Sequence, residues 1–341
     1  MTGAGPEAVL EVDRLTTEIV FGSGSIIPVR EVSLSVGRGE TLCVVGESGS
    51  GKSLLALSIM RVLPPGARIV TGGVRLSGEE LAGAKESRLR RIRGSRMAMV
   101  LQDPMTAFDP LITVGDQIVE TIRAHERVSN SDARRRTIAL LEQVRLPDPE
   151  RAARTLPSAL SGGMNQRALI AMALATDPVL LIADEPTTAL DVTVQAQVLE
   201  LIRDLQVSRG LAVILISHDM GVAAMVGHRI AVMYAGRIVE TGPTAELFRA
   251  PRHPYTVGLM AAARDEGRRE GARASIRGAP PDLQVLPPGC AFAPRCDFVR
   301  PLCNIAPPAL RPFGATKAAC ILDDHERPWL HLARQEAVAD A

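Results

Sequence analysis

The residues Gly46-Glu47-Ser48-Gly49-Ser50-Gly51-Lys52-Ser53 stand between two apolar stretches, TLCVV before and LLALSIM after. Three glycines in eight positions let the backbone curl until its N–H groups point inward, and the helix predicted from Lys52 onward adds a dipole favouring negative charge. Such a loop holds the phosphates of a nucleoside triphosphate. Lys52 would reach the β- and γ-phosphates, the Ser53 hydroxyl would join a Mg²⁺ ion, and Glu47, Ser48, Gly49, Ser50 and Leu54 complete the phosphate cradle. Lys52 is one of only three lysines against 36 arginines, so the chain's strong preference for Arg is not followed here.

Phosphoryl transfer to water needs acids as well. The run Leu180-Leu-Ile-Ala-Asp184-Glu185 supplies two at the end of an apolar stretch. Asp184 suits the Mg²⁺ ion and Glu185 is placed to orient and deprotonate an attacking water. A second apolar run, LAVILISHD, ends on His218, which could hydrogen-bond the γ-phosphate or that water.

These groups must be carried by buried parallel strands, because continuous apolar runs that end in acid or histidine belong to sheets with function at their carboxyl ends. VLEVDRLTTEIVF and VREVSLSV read as further strands, whereas Asp132 to Val144 and NQRALIAMALA carry helical spacing. The order predicts an α/β fold. With 341 residues and 46% hydrophobic content the chain can bury a real core, and a formal net charge of +1 gives no global field for nucleic acid. MTGAGPEAV has no leader pattern and no stretch is long and apolar enough to span a membrane, so the expectation is a cytosolic protein. After about residue 262 the texture turns rich in Arg, Gly and Pro, which reads as a linker or irregular appended module.

The run Leu160-Ser161-Gly162-Gly163-Met164-Asn165-Gln166-Arg167 narrows the choice among phosphate-loop enzymes. It resembles the LSGGQ motif of the ATP-binding cassette family, with Met164 where most members have Gln. That resemblance covers roughly residues 8–262 and implies a P-loop cassette: a RecA-like core, an antiparallel β subdomain and a helical subdomain over about 103–170. It implies that Ser161, Gly162 and Gly163 bind the γ-phosphate of a partner cassette, and that Gln102 in MVLQDP touches the Mg²⁺ site and the membrane partner. It implies that Asp191 of Ala189-Leu190-Asp191 lies on the loop crossing to the other cassette, and that Phe21 stacks on adenine.

Within that family, GESGSGKS, LQDPMTAFDP, SGGMNQR, DEPTTALDVTVQAQ, SHDMGV and APRHPYTVGLM are similar to the ATPase subunits of oligopeptide and dipeptide importers, including nickel and glutathione importers. Met after SGG is common in that branch. The resemblance implies a sister cassette, two transmembrane permease subunits, with segment 103–118 receiving the permease, an extracytoplasmic solute-binding protein, and a place on the cytoplasmic face of the inner membrane. The alternative class, a soluble cassette ATPase acting on DNA or ribosomes, is opposed by a single cassette without coiled-coil insertion.

Residues 263–341 then form a C-terminal extension, where Gly289-Cys290-Ala-Phe-Ala-Pro-Arg295-Cys296 matches the branch pattern GC-x-F-x-P-R-C. Cys290, Cys296, Cys303 and Cys320 could hold a [4Fe–4S] cluster or a zinc ion. Gaps of five, six and sixteen residues choose neither. The resemblance favours the cluster. Cys43, on an apolar strand, reads as core.

Overall fold

The computed structural model describes residues 8–22, 24–188, 190–265 and 276–330. Ala189 of the ALD motif and the stretches 266–275 and 331–341 of the extension lie outside them. Twelve strands are named in chain order: β1 (Ala8–Phe21), β2 (Gly24–Gly37), β3 (Thr41–Val45), β4 (Ala67–Leu76), β5 (Glu79–Glu80), β6 (Met97–Val100), β7 (Leu180–Asp184), β8 (Ala212–Ser217), β9 (Arg229–Tyr234), β10 (Arg237–Pro243), β11 (Arg311–Phe313) and β12 (Thr316–Ala318).

They form two sheets. An antiparallel sheet has the order β2-β1-β4-β5, and a larger one runs β11-β12-β10-β9-β3-β8-β7-β6, parallel from β9 to β6 and antiparallel beyond β9. Strands β3, β7 and β8 are buried at every position, which is why they read as unbroken apolar runs. Successive side chains point to opposite faces, and the two cores follow from that alternation. Leu42, Val44, Leu180, Ile182, Ile214 and Ile216 pack on one face with residues of the antiparallel sheet and helix Lys52–Met60. Cys43, Val45, Leu181, Ala183, Val213 and Leu215 pack on the other with residues of the helices. Cys43 is fully buried, as its strand position requires.

Between β6 and β7 the described chain is helical throughout: Pro104–Ala107, Val114–His125, Asn130–Gln143, Pro149–Ala153, a 3₁₀ turn at Pro157–Ala159, then Gly162–Ala173. Thr113, Ser129 and Ser161 each cap a helix, the hydroxyl accepting the backbone N–H three residues on.

The carboxy-terminal segment is built mostly of turns, but it is not a loose appendage. Its β12 adds to the edge of the main sheet by pairing with β10, Glu240 opposite Ala318 and Thr241 opposite Lys317. Gly242 permits this approach, since a Cβ there would lie 2.6 Å from the Thr316 side chain. A three-residue strand carries no readable periodicity, so this extension of the sheet has no signature in the order of residues.

Candidate functional site

Strand β3 delivers the chain directly into the loop 46–51, and helix Lys52–Met60 begins where the loop ends. Gly51 has φ +105°, and a Cβ there would meet the Pro28 carbonyl oxygen at 2.0 Å, so glycine is required on two grounds. The Lys52 ammonium turns back over the loop and donates to the carbonyls of Gly46 at 2.7 Å and Glu47 at 2.9 Å. Burial pulls its pKa below the ordinary lysine value, while Glu185, Asp184 and Glu47 oppose that shift.

Strand β7, separated from β3 by β8, brings its acids to the same end of the sheet. Ser53 Oγ donates to Asp184 Oδ1 at 3.1 Å, so the two groups expected to share a Mg²⁺ ion already touch. Burial, chiefly, raises the Asp184 pKa; the Ser53 hydrogen bond lowers it and neighbouring Glu185 raises it further. An oxygen pair of this kind, with the Gln102 amide beyond, suits a hard cation that keeps most of its waters. Such an ion would draw off the negative charge of the β- and γ-phosphates.

Glu185 occupies a left-handed backbone conformation, φ +47°, unusual for a residue other than glycine and held by its N–H donating to the Ile216 carbonyl at 3.0 Å. Three side chains surround its carboxylate. Thr188 Oγ1 donates to Oε2 at 2.7 Å, Gln102 Nε2 approaches at 3.5 Å, and His218 Nδ1 lies 3.3 Å away. A carboxylate oriented by three polar partners can hold and deprotonate a water aimed at a phosphate. Thr188 was not singled out from sequence, and a lone threonine past an acidic pair gives no signal of its own.

Lys52, Ser53, Gln102, Glu185 and His218 open onto one cavity of about 880 Å³, within the size range of small-molecule and cofactor sites. Glu47, Ser48, Gly49, Gly51 and Leu54 form its loop wall. Its apolar lining is Ile19, Ile26, Pro28, Leu259, Pro280 and Leu283. Phe21, expected to stack on a base, does not line this cavity; it pairs with Gly24 across the tip of the β1–β2 hairpin and is 42% exposed. Ile19, two positions earlier on β1, lines the cavity instead. Gly46 and Ser50 close the loop from below, Gly46 against the Met233 carbonyl and Ser50 buried.

Ser161, Gly162 and Gly163 stand apart from this cavity, at the exposed start of helix Gly162–Ala173, with Ser161 Oγ accepting the Met164 N–H. Asp191 caps the neighbouring helix Val192–Arg209, accepting the Val194 N–H at 2.9 Å, and Gly163 approaches Val194 so closely that a Cβ would lie 2.6 Å from it. Two helix N-termini thus lie side by side and are exposed. Neither lines the cavity that holds Lys52 and Glu185.

Cys290, Cys296, Cys303 and Cys320 all line one small cavity of about 20 Å³, together with His253, Phe292, Phe298 and Leu322. Burial raises the Cys290 and Cys320 thiols above their ordinary value and pushes Cys296 up to about 11. The Arg327 guanidinium works in the opposite direction on Cys320. Among the described residues no three His, Cys, Asp or Glu side chains stand where they could hold a metal ion.

Residues 29–188 match the family described as ABC transporter, and residues 239–303 match the oligopeptide/dipeptide transporter C-terminal region. A Brucella ovis protein named as a peptide import ATP-binding protein is 46% identical over 316 residues, covering 89% of this chain and 94% of that one. The dipeptide transport ATP-binding protein DppD of Bacillus subtilis is 44% identical over 299 residues, covering 87% and 89%. Among solved structures, the dimeric post-hydrolysis ATP-binding cassette MJ0796 bound to ADP and Pi superposes with a TM-score of 0.63 at 27% identity, covering 69% of this chain and 98% of that chain. A phosphate loop after β3, an acid pair on β7 beyond the intervening β8, and a carboxy-terminal segment of the matching kind stand in one chain, which therefore belongs to the ATP-binding subunits of the oligopeptide/dipeptide family of ABC transporters and is an ATPase.

Proposed function

We infer that this chain hydrolyses ATP to drive uptake of short peptides through membrane partner subunits. The observation that carries the reading is the Glu185 carboxylate, oriented by Thr188, Gln102 and His218 in one cavity with Lys52 and with Ser53, whose hydroxyl donates to Asp184. In this reading Lys52 leaves the loop carbonyls for the phosphates, the Ser53–Asp184 pair holds Mg²⁺, and Glu185 takes the proton of the attacking water. Relatives named for peptide and dipeptide import support the substrate class. Replacing Glu185 by Gln keeps the hydrogen bonds and removes the base. Turnover should then fall by roughly 10²–10⁴-fold with MgATP binding retained, measured as phosphate release and calorimetric affinity. Unchanged turnover would overturn the assignment.

The phosphate-binding helix starts at Ser161–Gly163 and Asp191 need a second nucleotide-bearing surface, which points to a sister cassette closing over two ATP molecules. Leu101, Met105, Leu111 and Ile112, exposed around the short helix Pro104–Ala107, are suited to a permease segment. No helix among the described residues is long and apolar enough to cross a membrane. The chain would therefore sit on the cytoplasmic face of the inner membrane through two permease subunits, with an extracytoplasmic binding protein delivering the peptide.

The cysteine quartet is read as the ligand set of a [4Fe–4S] cluster. Four thiols face one cavity, yet no three converge on a point. A cluster, whose thiolates each bind a different iron, asks less convergence than a single zinc ion does. Anaerobically purified protein should carry about four iron and four sulfide per chain, and stoichiometric zinc without sulfide would overturn the cluster.

A further inference from the structure

The carboxy-terminal segment reaches the ATP site itself. Glu47, the second residue of the phosphate loop, has its carboxylate gripped from outside the cassette: Arg295 Nη1 donates to Oε2 at 2.6 Å and Nη2 to Oε1 at 2.9 Å. This is a two-pronged pair, and the Arg295 side chain is only 5% exposed. Planar guanidinium matched to carboxylate in this way fixes orientation as well as charge. The Glu47 backbone is held too, its N–H donating to Tyr255 Oη at 2.7 Å.

The same guanidinium orders a second segment. Arg295 Nε donates to the Arg277 carbonyl at 2.7 Å, and Nη2 to the carbonyls of Gly278 at 3.2 Å and Ile276 at 3.4 Å. Just beyond this turn come Pro280 and Leu283, which belong to the apolar lining of the nucleotide cavity, where Phe21 is absent. Arg30 of β2 donates to the Leu283 carbonyl at 3.5 Å and ties the turn to the cassette.

We propose that Arg295 is a positioning residue for ATP binding, fixing the phosphate loop through Glu47 while seating the 276–283 turn whose Pro280 and Leu283 close the base end of the site. The ATP site of this chain is thus completed by its carboxy-terminal segment. Cys296 follows Arg295 directly, so whatever the cysteines hold is one residue from this clamp. The proposal rests on reading the cavity as the ATP site.

The test is calorimetric binding of MgATP and of inorganic tripolyphosphate, which lacks a base, to the full chain. Wild type against Lys52→Ala settles the underlying reading: equal MgATP affinity in those two would sink the assignment of the cavity, independently of Arg295. With that reading standing, Arg295→Ala and Glu47→Gln should each weaken both probes by about tenfold, the scale of one lost charge-assisted hydrogen bond. The double variant should be no weaker than the worse single, because both remove one contact. Arg295→Lys should recover part of the loss. Leu283→Ser should weaken MgATP several-fold and leave tripolyphosphate unchanged.

A purely structural Arg295 would lower the fraction of binding-competent protein, read from the stoichiometry, with the affinity of the remainder intact. That result, or additive losses in the double variant, overturns the clamp. Equal effects of Leu283→Ser on both probes, or none on either, overturn the base wall. Should Arg295→Ala fail to fold, the Lys and Glu47→Gln variants carry the same comparison.

Discussion

Lys52, Ser53, Asp184 and Glu185 are separated by up to 133 positions and come together because β3 and β7 both flank β8, with their loops leaving from the same edge. Each could be assigned from type and local pattern, since a glycine loop after an apolar strand leaves few alternatives. Phe21 could not. A lone aromatic near the expected distance says nothing about where a hairpin turns, and Ile19 with Ile26 meets the cavity instead. Truncating Phe21 to Ala should therefore leave KM for ATP within about twofold, whereas Ile19→Ser should raise it several-fold through loss of apolar contact. Steady-state kinetics decide this, and a large effect of Phe21→Ala would restore the stacking role.

At the level of elements, the junction between β10 and helix Pro254–Asp265 is pinned by one buried carboxylate. Glu240, fully buried, accepts the N–H groups of Arg252 at 2.6 Å and His253 at 2.8 Å. Burial pushes its pKa from 4.5 up to about 7, while the backbone hydrogen bonds pull it down. The folded value lies above the unfolded one, so the folded state binds the proton more tightly. Stability contributed through this group is then present below about pH 4.5 and is lost as pH rises towards 7. Wild type should lose thermal stability over that window, and Glu240→Gln, which cannot ionise, should lose the part of the slope due to this site. Removing the acceptor altogether in Glu240→Ala strands two buried N–H groups, at a cost of about 2–4 kcal/mol. Thermal unfolding followed by circular dichroism across pH would show both. Parallel slopes in wild type and Glu240→Gln would mean that another group dominates.

At the scale of the whole molecule, the proposed sister cassette would meet the exposed start of helix Gly162–Ala173. Ser161→Asp tests that contact, because aspartate caps a helix as well as serine does while its charge repels a phosphate. Affinity of the isolated chain for MgATP should stay within about twofold, and turnover by the assembled transporter should fall at least about tenfold. Full turnover in that variant would show that the surface does not meet the second nucleotide.

The chain read in order shows the chemistry and the core that carries it. Phosphate cradles, strand-end acids and buried parallel strands are local patterns, written in consecutive residues whose types leave little freedom. It also marked four cysteines, without choosing their ligand. Only the tertiary structure decided what forms the apolar lining of the cavity, which partners orient Glu185, and how the carboxy-terminal segment joins the sheet through β12 and the phosphate loop through Arg295. The Arg295–Glu47 pair alone links residues 248 positions apart. Such contacts are fixed by side chains meeting across packed elements, for which a chain read in order carries no periodicity and no spacing rule.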